Sequence, residues 1–239
     1  MLQKHKSFVT WANKKANMKF LPKALLFDLN GTMIDDMEYH NKAWFTILND
    51  DLNANISYGD VKKQMYGKND ELLQRVFGNG YFSQKQMDEI SIKKEKIYQR
   101  DYLPDLRLIQ GLDEILTRAK SSGLLMAIGS AAIPFNIDFV LDRLNIRSYF
   151  KTIVSANDVE TSKPNPETFL KGAKILGIKP EDCLVLEDAP KGVEAALNAG
   201  MPCIVLSTAH GAEEFEKYSN VLKVVSDYND PIFSELIKP

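Results

Sequence analysis

From Ala24 to Leu29 the chain is almost wholly apolar, with no polar alternation, a pattern that predicts a strand buried on both faces. The turn-forming Asn30-Gly31-Thr32 ends it. Between Asp36 and Asp101 no buried-strand run occurs. Apolar residues recur there at helical spacing (Ala43, Trp44, Ile47, Leu48, then Leu72, Leu73, Val76, Phe77) ahead of the charged segment from Gln84 to Gln99. This predicts a small all-helical insertion. After Pro104 helix and strand signals alternate. Helices are predicted at 113–121, 135–144, 166–176 and 192–199, with strands at 124–128, 152–155, 183–186 and 203–206 between and after them. A short strand over 223–225 and a helix from Pro231 close the chain.

Such alternation implies parallel strands joined by crossover helices, hence an α/β fold with a doubly wound, Rossmann-like, mostly parallel sheet. The expected organisation is an extension at 1–18, a core formed by 19–35 and 103–239, and a helical cap at 36–102. The leader carries Lys4, Lys6, Lys14 and Lys15, with Phe8 and Trp11 one helical turn apart. It is read as a frayed extension, with a surface helix or targeting segment as the alternative, and Met18 is a second candidate start.

Composition narrows the partners. With 44% hydrophobic and 26% charged residues and a net charge of −2, the chain has a globular balance and no electrostatic reason to bind nucleic acid. Cys183 and Cys203 lie inside apolar runs, so neither a disulfide framework nor a zinc site is expected, and a reducing cytoplasm fits. No apolar stretch approaches the roughly 18 residues of a membrane span, and no secretory h-region is present. A monomer acting on a small molecule is expected.

In a doubly wound sheet, functional groups collect beyond the carboxyl ends of strands. Asp28, Ser130, Lys163 and the pair Glu187-Asp188 all fall at or beyond predicted strand ends. Together they supply a nucleophile, a hydroxyl, a cation and an acidic pair.

These residues resemble the four motifs of the haloacid dehalogenase superfamily, within it the β-phosphoglucomutase-like phosphatases and phosphomutases. Asp28-Leu29-Asn30-Gly31-Thr32 is similar to the first motif, Gly129-Ser130-Ala131 to the second, Ser162-Lys163-Pro164 to the third, and Leu186-Glu187-Asp188 with Gly192 to the fourth. The order and spacing cover nearly the whole chain after Met18. Glu38-Tyr39-His40 with Trp44 resembles the first cap helix of that group.

The resemblance implies phosphoryl transfer through a phospho-Asp28 intermediate. Mg²⁺ is implied on the carboxylates of Asp28 and Asp188 and the backbone carbonyl of Asn30, with Glu187 acting through water. Lys163, Ser130 and backbone groups of Leu29, Asn30 and Ala131 are implied to bind the phosphoryl oxygens. His40, Trp44 and Lys68 are the candidate substrate contacts on the cap. Thr32 is expected to brace the loop, and Asp35 to cap the first cap helix.

Asn30 departs from the family, which usually carries a second aspartate here as general acid and base. An amide does neither, and such catalysis typically contributes ~10²–10⁴-fold. An acyl phosphate needs no proton to leave, whereas a sugar alkoxide does. Three accounts compete: His40 supplies the proton, the residue is an Asp-to-Asn replacement, or Asn30-Gly31 deamidates. A second departure is the absence of a cap arginine in Gly67-Lys68-Asn69-Asp70, where Lys68 offers only a point charge.

The leading expectation is a phosphatase, with mutase activity the close variant. The rivals are a phosphonate hydrolase using Lys68 as an imine-forming amine, and a pseudoenzyme that binds Mg²⁺ and a phosphorylated ligand.

Overall fold

The protein, a computed structural model, is described over residues 20–238; the leader at 1–18 lies outside the described residues. Six parallel strands form one sheet: β1 (Ala24–Phe27), β2 (Leu125–Gly129), β3 (Thr152–Val154), β4 (Cys183–Glu187), β5 (Cys203–Leu206) and β6 (Val221–Val225). Their order is β3-β2-β1-β4-β5-β6. The chain thus winds outward from β1 in both directions, which puts the point of reversal at the carboxyl end of β1.

The side-chain period of two sorts β1 between two cores. Leu25 and Phe27 join Met126, Ile128, Leu184 and Leu186 on one face. Ala24 and Leu26 join Ala127, Val185 and Val205 on the other. Helices α5 (Leu112–Ser121) and α6 (Pro134–Arg143) cover the first face, while α7 (Glu167–Leu176) and α8 (Pro190–Asn198) cover the second. Truncating a fully buried position such as Leu26 to alanine costs about 2–5 kcal/mol. A final helix, α9 (Pro231–Leu236), adds Phe233 to the first core.

Between β1 and β2 lie α1 (Met37–Thr46), which runs into a π-helical turn at Ile47–Asp51, then α2 (Tyr58–Lys63), α3 (Asn69–Phe77) and α4 (Gln84–Tyr102). Trp44, Ile47, Leu48, Val61, Leu72, Leu73 and Met87 give these helices a core of their own. Ala43, Tyr98 and Tyr102 pack instead with the sheet's first core. The glutamine and serine of Ser83 and Gln86 form a capping box that starts α4.

Several boundaries differ from the pattern by one or two residues, and two of these have a visible cause. The strand stops at Phe27 rather than Leu29, because the Leu29 carbonyl already accepts from the Met33 N–H at 2.8 Å. Helix α8 starts at Pro190 rather than Gly192, as proline is compatible with a first helical turn. No helix among the described residues is long and apolar enough to cross a membrane. Both cysteines are free and buried.

Candidate active site

Adjacent strands β1 and β4 run in register, and the Asp28 N–H donates to the Leu186 carbonyl at 2.9 Å, so Asp28 emerges beside Glu187-Asp188. From the loop between β3 and α7, Lys163 reaches in. Its ammonium donates to Asp28 Oδ1 at 2.5 Å and to Glu187 Oε1 at 2.7 Å. The other oxygen of Glu187 accepts from the backbone N–H groups of Asp188 and Ala189 at 2.8 and 2.9 Å. Glu187 is therefore held on both oxygens and positions Lys163. Thr32 braces the loop as expected, its hydroxyl donating to Asp188 Oδ1 at 3.2 Å.

Carboxylate oxygens of Asp28, Glu187 and Asp188 lie within 4.8 Å of one another, all buried. Three carboxylates thus face one ammonium. Burial raises the Asp28 pKa to about 7, the Lys163 charge offsetting only part of it while Glu187 adds to it. Burial, with Glu187 and Asp28, pushes Asp188 well above the carboxylate range. For Lys163 burial acts against the charge, but the two carboxylates outweigh it and raise its pKa. This hard-oxygen cluster with excess negative charge fits a divalent cation of the magnesium type. Gly31 permits the close approach: it has φ +75°, and a Cβ there would stand 2.2 Å from Asp188 Oδ2.

Ser130, at the end of β2, accepts the Ala132 N–H on Oγ at 3.1 Å, which leaves its hydroxyl proton available to a ligand. It lines a cavity of about 640 Å³ together with Asp28, Asn30, Ala131, Lys163 and Asp188. Leu29 contributes no side chain here, being packed into the sheet core, so only its backbone is available.

The helical segment forms the facing wall, and Met37, His40, Trp44 and Lys68 all line the same cavity. Trp44 also packs in the helical core, with 1% exposure. His40 stacks on Tyr98 with ring centroids 3.8 Å apart. Its Nε2 lies 3.0 Å from Asn30 Nδ2 and 3.3 Å from Asp36 Oδ2, and its Nδ1 lies 2.6 Å from Lys94 Nζ. Neither tautomer satisfies every pair: with Nδ1 accepting from the Lys94 ammonium, Nε2–H donates to Asp36 but meets the Asn30 amide donor to donor, whereas with Nε2 accepting from Asn30, Nδ1–H faces Lys94 and requires its amine to be neutral.

Two expectations are corrected. Asp35 is exposed and does not cap α1, whose N-cap position is Asp36. Asp36 serves as an acceptor hub instead, taking Asn30 Nδ2 at 2.6 Å, the Tyr98 hydroxyl at 2.5 Å and the Gly31 N–H at 3.2 Å. Lys68 does not offer a free ammonium to the cavity. Its Nζ donates to the carbonyls of Val159 and Glu160 at 2.5 and 3.3 Å, fastening α3 to the loop that carries Lys163. Glu71 accepts from the Ser162 hydroxyl on the same loop.

Sequence reasoning missed Asp36, Asn41, Lys94, Glu95 and Tyr98. A signal existed: Met87, Lys94, Tyr98 and Tyr102 follow a helical stripe, so Lys94 falls on the buried face of an otherwise charged segment.

Comparisons with known proteins agree with this geometry. Residues 25–206 match the family model for haloacid dehalogenase-like hydrolases. The β-phosphoglucomutase of Bacillus subtilis is 31% identical over 187 residues, covering 75% of this chain and 80% of that protein. The fructose-1-phosphate phosphatase of Escherichia coli is 29% identical over 181 residues, covering 75% and 94%. The crystal structure of β-phosphoglucomutase from Clostridium difficile superposes with a TM-score of 0.74 at 27% identity, covering 87% of this chain and 92% of that one. A parallel sheet with its acidic cluster at the reversal point, matched over most of its length, makes this chain a member of the haloacid dehalogenase-like hydrolases, an enzyme of the phosphatase or phosphotransferase type.

Proposed function

We propose that the chain moves a phosphoryl group from a small phosphate ester of the sugar-phosphate type to Asp28 and then to water, with Mg²⁺ as cofactor. The observation that carries this reading is the buried Lys163 ammonium held between Asp28 and Glu187 in the lining of one cavity with Ser130 and Asp188. Asp28, Asp188 and the Asn30 carbonyl would hold the metal. When bound, it neutralises negative charge between the nucleophile and the phosphate.

Asp28 attacks phosphorus and the bond to the leaving oxygen breaks. Lys163 offsets the repulsion of two anions, and the Ser130 hydroxyl donates to a phosphoryl oxygen. Water then displaces Asp28 and phosphate departs. Asn30 can neither protonate the leaving oxygen nor activate the water. The group assigned to that proton is His40, the titratable side chain beside Asn30. The helical segment 36–102 acts as the cap over this chemistry, and a cytoplasmic monomer is the setting proposed.

Turnover on a panel of phosphate esters, with acid-quench trapping of phospho-Asp28, tests the reading. Release of phosphate, abolished in Asp28→Asn, is the expected result; interconversion of hexose phosphates without release assigns the mutase variant. The tether of Asn30 to Asp36 favours a second reading, a slow or inactive ligand-binding relative. Activity in neither the wild type nor Asn30→Asp would establish that second reading instead.

A further inference from the structure

From Leu29 to Ile34 every backbone carbonyl but one has a hydrogen-bond donor among the described residues. Leu29 accepts from the Met33 N–H at 2.8 Å, Met33 from the Ile109 N–H at 2.9 Å and Ile34 from the Gly31 N–H at 2.8 Å. Two side chains complete the set. The Thr208 hydroxyl donates to the Gly31 carbonyl at 2.6 Å, and the Tyr228 hydroxyl to the Thr32 carbonyl at 2.8 Å. The exception is the carbonyl of Asn30.

That carbonyl has a fixed direction. In a trans peptide the C=O points opposite to the N–H of the next residue. The Gly31 N–H is held by the Ile34 carbonyl and by Asp36 Oδ1 at 3.2 Å, so the Asn30 carbonyl faces away from both. Asn30 lines the cavity with Asp28 and Asp188. An oxygen without a donor, on a residue that shares its cavity with two buried carboxylates, suits a divalent cation of the magnesium type.

Keeping the loop in this shape falls to residues outside the four motifs. Gly31 has φ +75° and no side chain, so rotation of the Gly31–Thr32 peptide meets little steric resistance. Thr208, just beyond β5, pins that peptide by its carbonyl. Tyr228, between β6 and α9, pins the next one, and the hydroxyl of the same Thr32 holds Asp188 Oδ1 at 3.2 Å. Tyr228 and Thr32 are both buried, so water does not replace the phenol. Burial, with Asp28 and Asp188, pushes the Tyr228 pKa up and keeps its hydroxyl a donor.

We infer that Thr208 and Tyr228 are positioning residues of the metal site, fixing two successive peptides so that the Asn30 carbonyl and Asp188 are held ready for the cation. This rests on the Mg²⁺ assignment above. Groups that orient metal ligands typically contribute about 10–100-fold to affinity.

The test measures Mn²⁺ affinity of the full chain from loss of the free-ion EPR signal, with Mg²⁺ as competitor, at about pH 8, above the Asp28 pKa of about 7. Tyr228→Phe and Thr208→Val remove only the hydroxyl donors and should each weaken binding by about tenfold or more. Thr208→Ser restores the donor and should bind within about threefold of the wild type. Melting curves in chelator verify folding, and if Tyr228→Phe does not fold, the two Thr208 variants decide. Unchanged affinity in folded Tyr228→Phe or Thr208→Val, or an equal loss in Thr208→Ser, overturns the inference and leaves the Mg²⁺ assignment standing. A wild type that binds neither ion removes both.

Discussion

The side-chain amide of Asn30 donates to the Asp36 carboxylate at 2.6 Å, which places a buried anion six residues beyond the position where the family usually has its acid. An aspartate at position 30 would meet that anion directly, and two carboxylates so close share a proton. Asn30→Asp should therefore carry a protonated group beside the leaving oxygen. Turnover of esters with alkoxide leaving groups should rise by roughly 10²-fold or more, and that of acyl phosphates should change little. Equal gains on both substrates would remove the leaving-group argument. In the wild type, His40→Ala should alter the pH-rate profile for the alkoxide esters; an unchanged profile would end its assignment as proton donor.

Asp28 sets a pH dependence. Its pKa in the metal-free fold is raised to about 7, from 3.8 in the unfolded chain, chiefly by burial. Between these values the folded state binds the extra proton, so this group's contribution to stability falls as pH rises. A divalent cation competes with that proton. The melting-temperature gap between Mg²⁺ and chelator should widen from about pH 6 to about pH 8, and apparent Mg²⁺ affinity should rise over the same interval. A gap that shrinks with pH would contradict the assignment.

Lys163 is the one cation bonded to Asp28 and Glu187 among the described residues. Replacing it with methionine leaves three buried carboxylates unopposed. The variant should lose phosphoryl transfer and about 3–5 kcal/mol of metal-free stability in denaturant titrations, with Mg²⁺ recovering part of the stability but not the activity.

Lys68 separates two chemistries. Its ammonium is engaged by the carbonyls of Val159 and Glu160, so it fastens the helices rather than forming an imine. Lys68→Ala should raise KM several-fold with a smaller effect on kcat, as expected when a charged hydrogen bond between the cavity wall and the Lys163 loop is lost. Borohydride with a carbonyl substrate should leave no adduct on the wild type. A trapped adduct on Lys68 would restore the imine reading.

Strand-end chemistry was readable in sequence because one physical rule controls it. Parallel strands deliver their next residues to one edge, and Asp28, Ser130 and Asp188 each follow or end an apolar run. The facing wall follows no such rule. Lys94 and Glu95 are charged residues inside a charged helix, and the packing of α1 and α3 against α4 buries them. Asp36 resembles an ordinary helix cap until Tyr98, distant in sequence, brings its hydroxyl to it. Lys68 looked like a free cation because its acceptors are backbone carbonyls, which no side-chain pattern reveals.

The grip on Gly31 also bears on the chemical lifetime of the protein. Deamidation of an Asn-Gly pair requires the glycine nitrogen to attack the asparagine side-chain carbonyl. Here the Gly31 N–H is committed to the Ile34 carbonyl at 2.8 Å and to Asp36 Oδ1 at 3.2 Å, while the Asn30 amide is turned into its own bond with Asp36. The folded loop thus works as a preservative. Peptide mass spectrometry of stored samples should find Asn30 intact in native protein, with aspartate and isoaspartate accumulating only after unfolding.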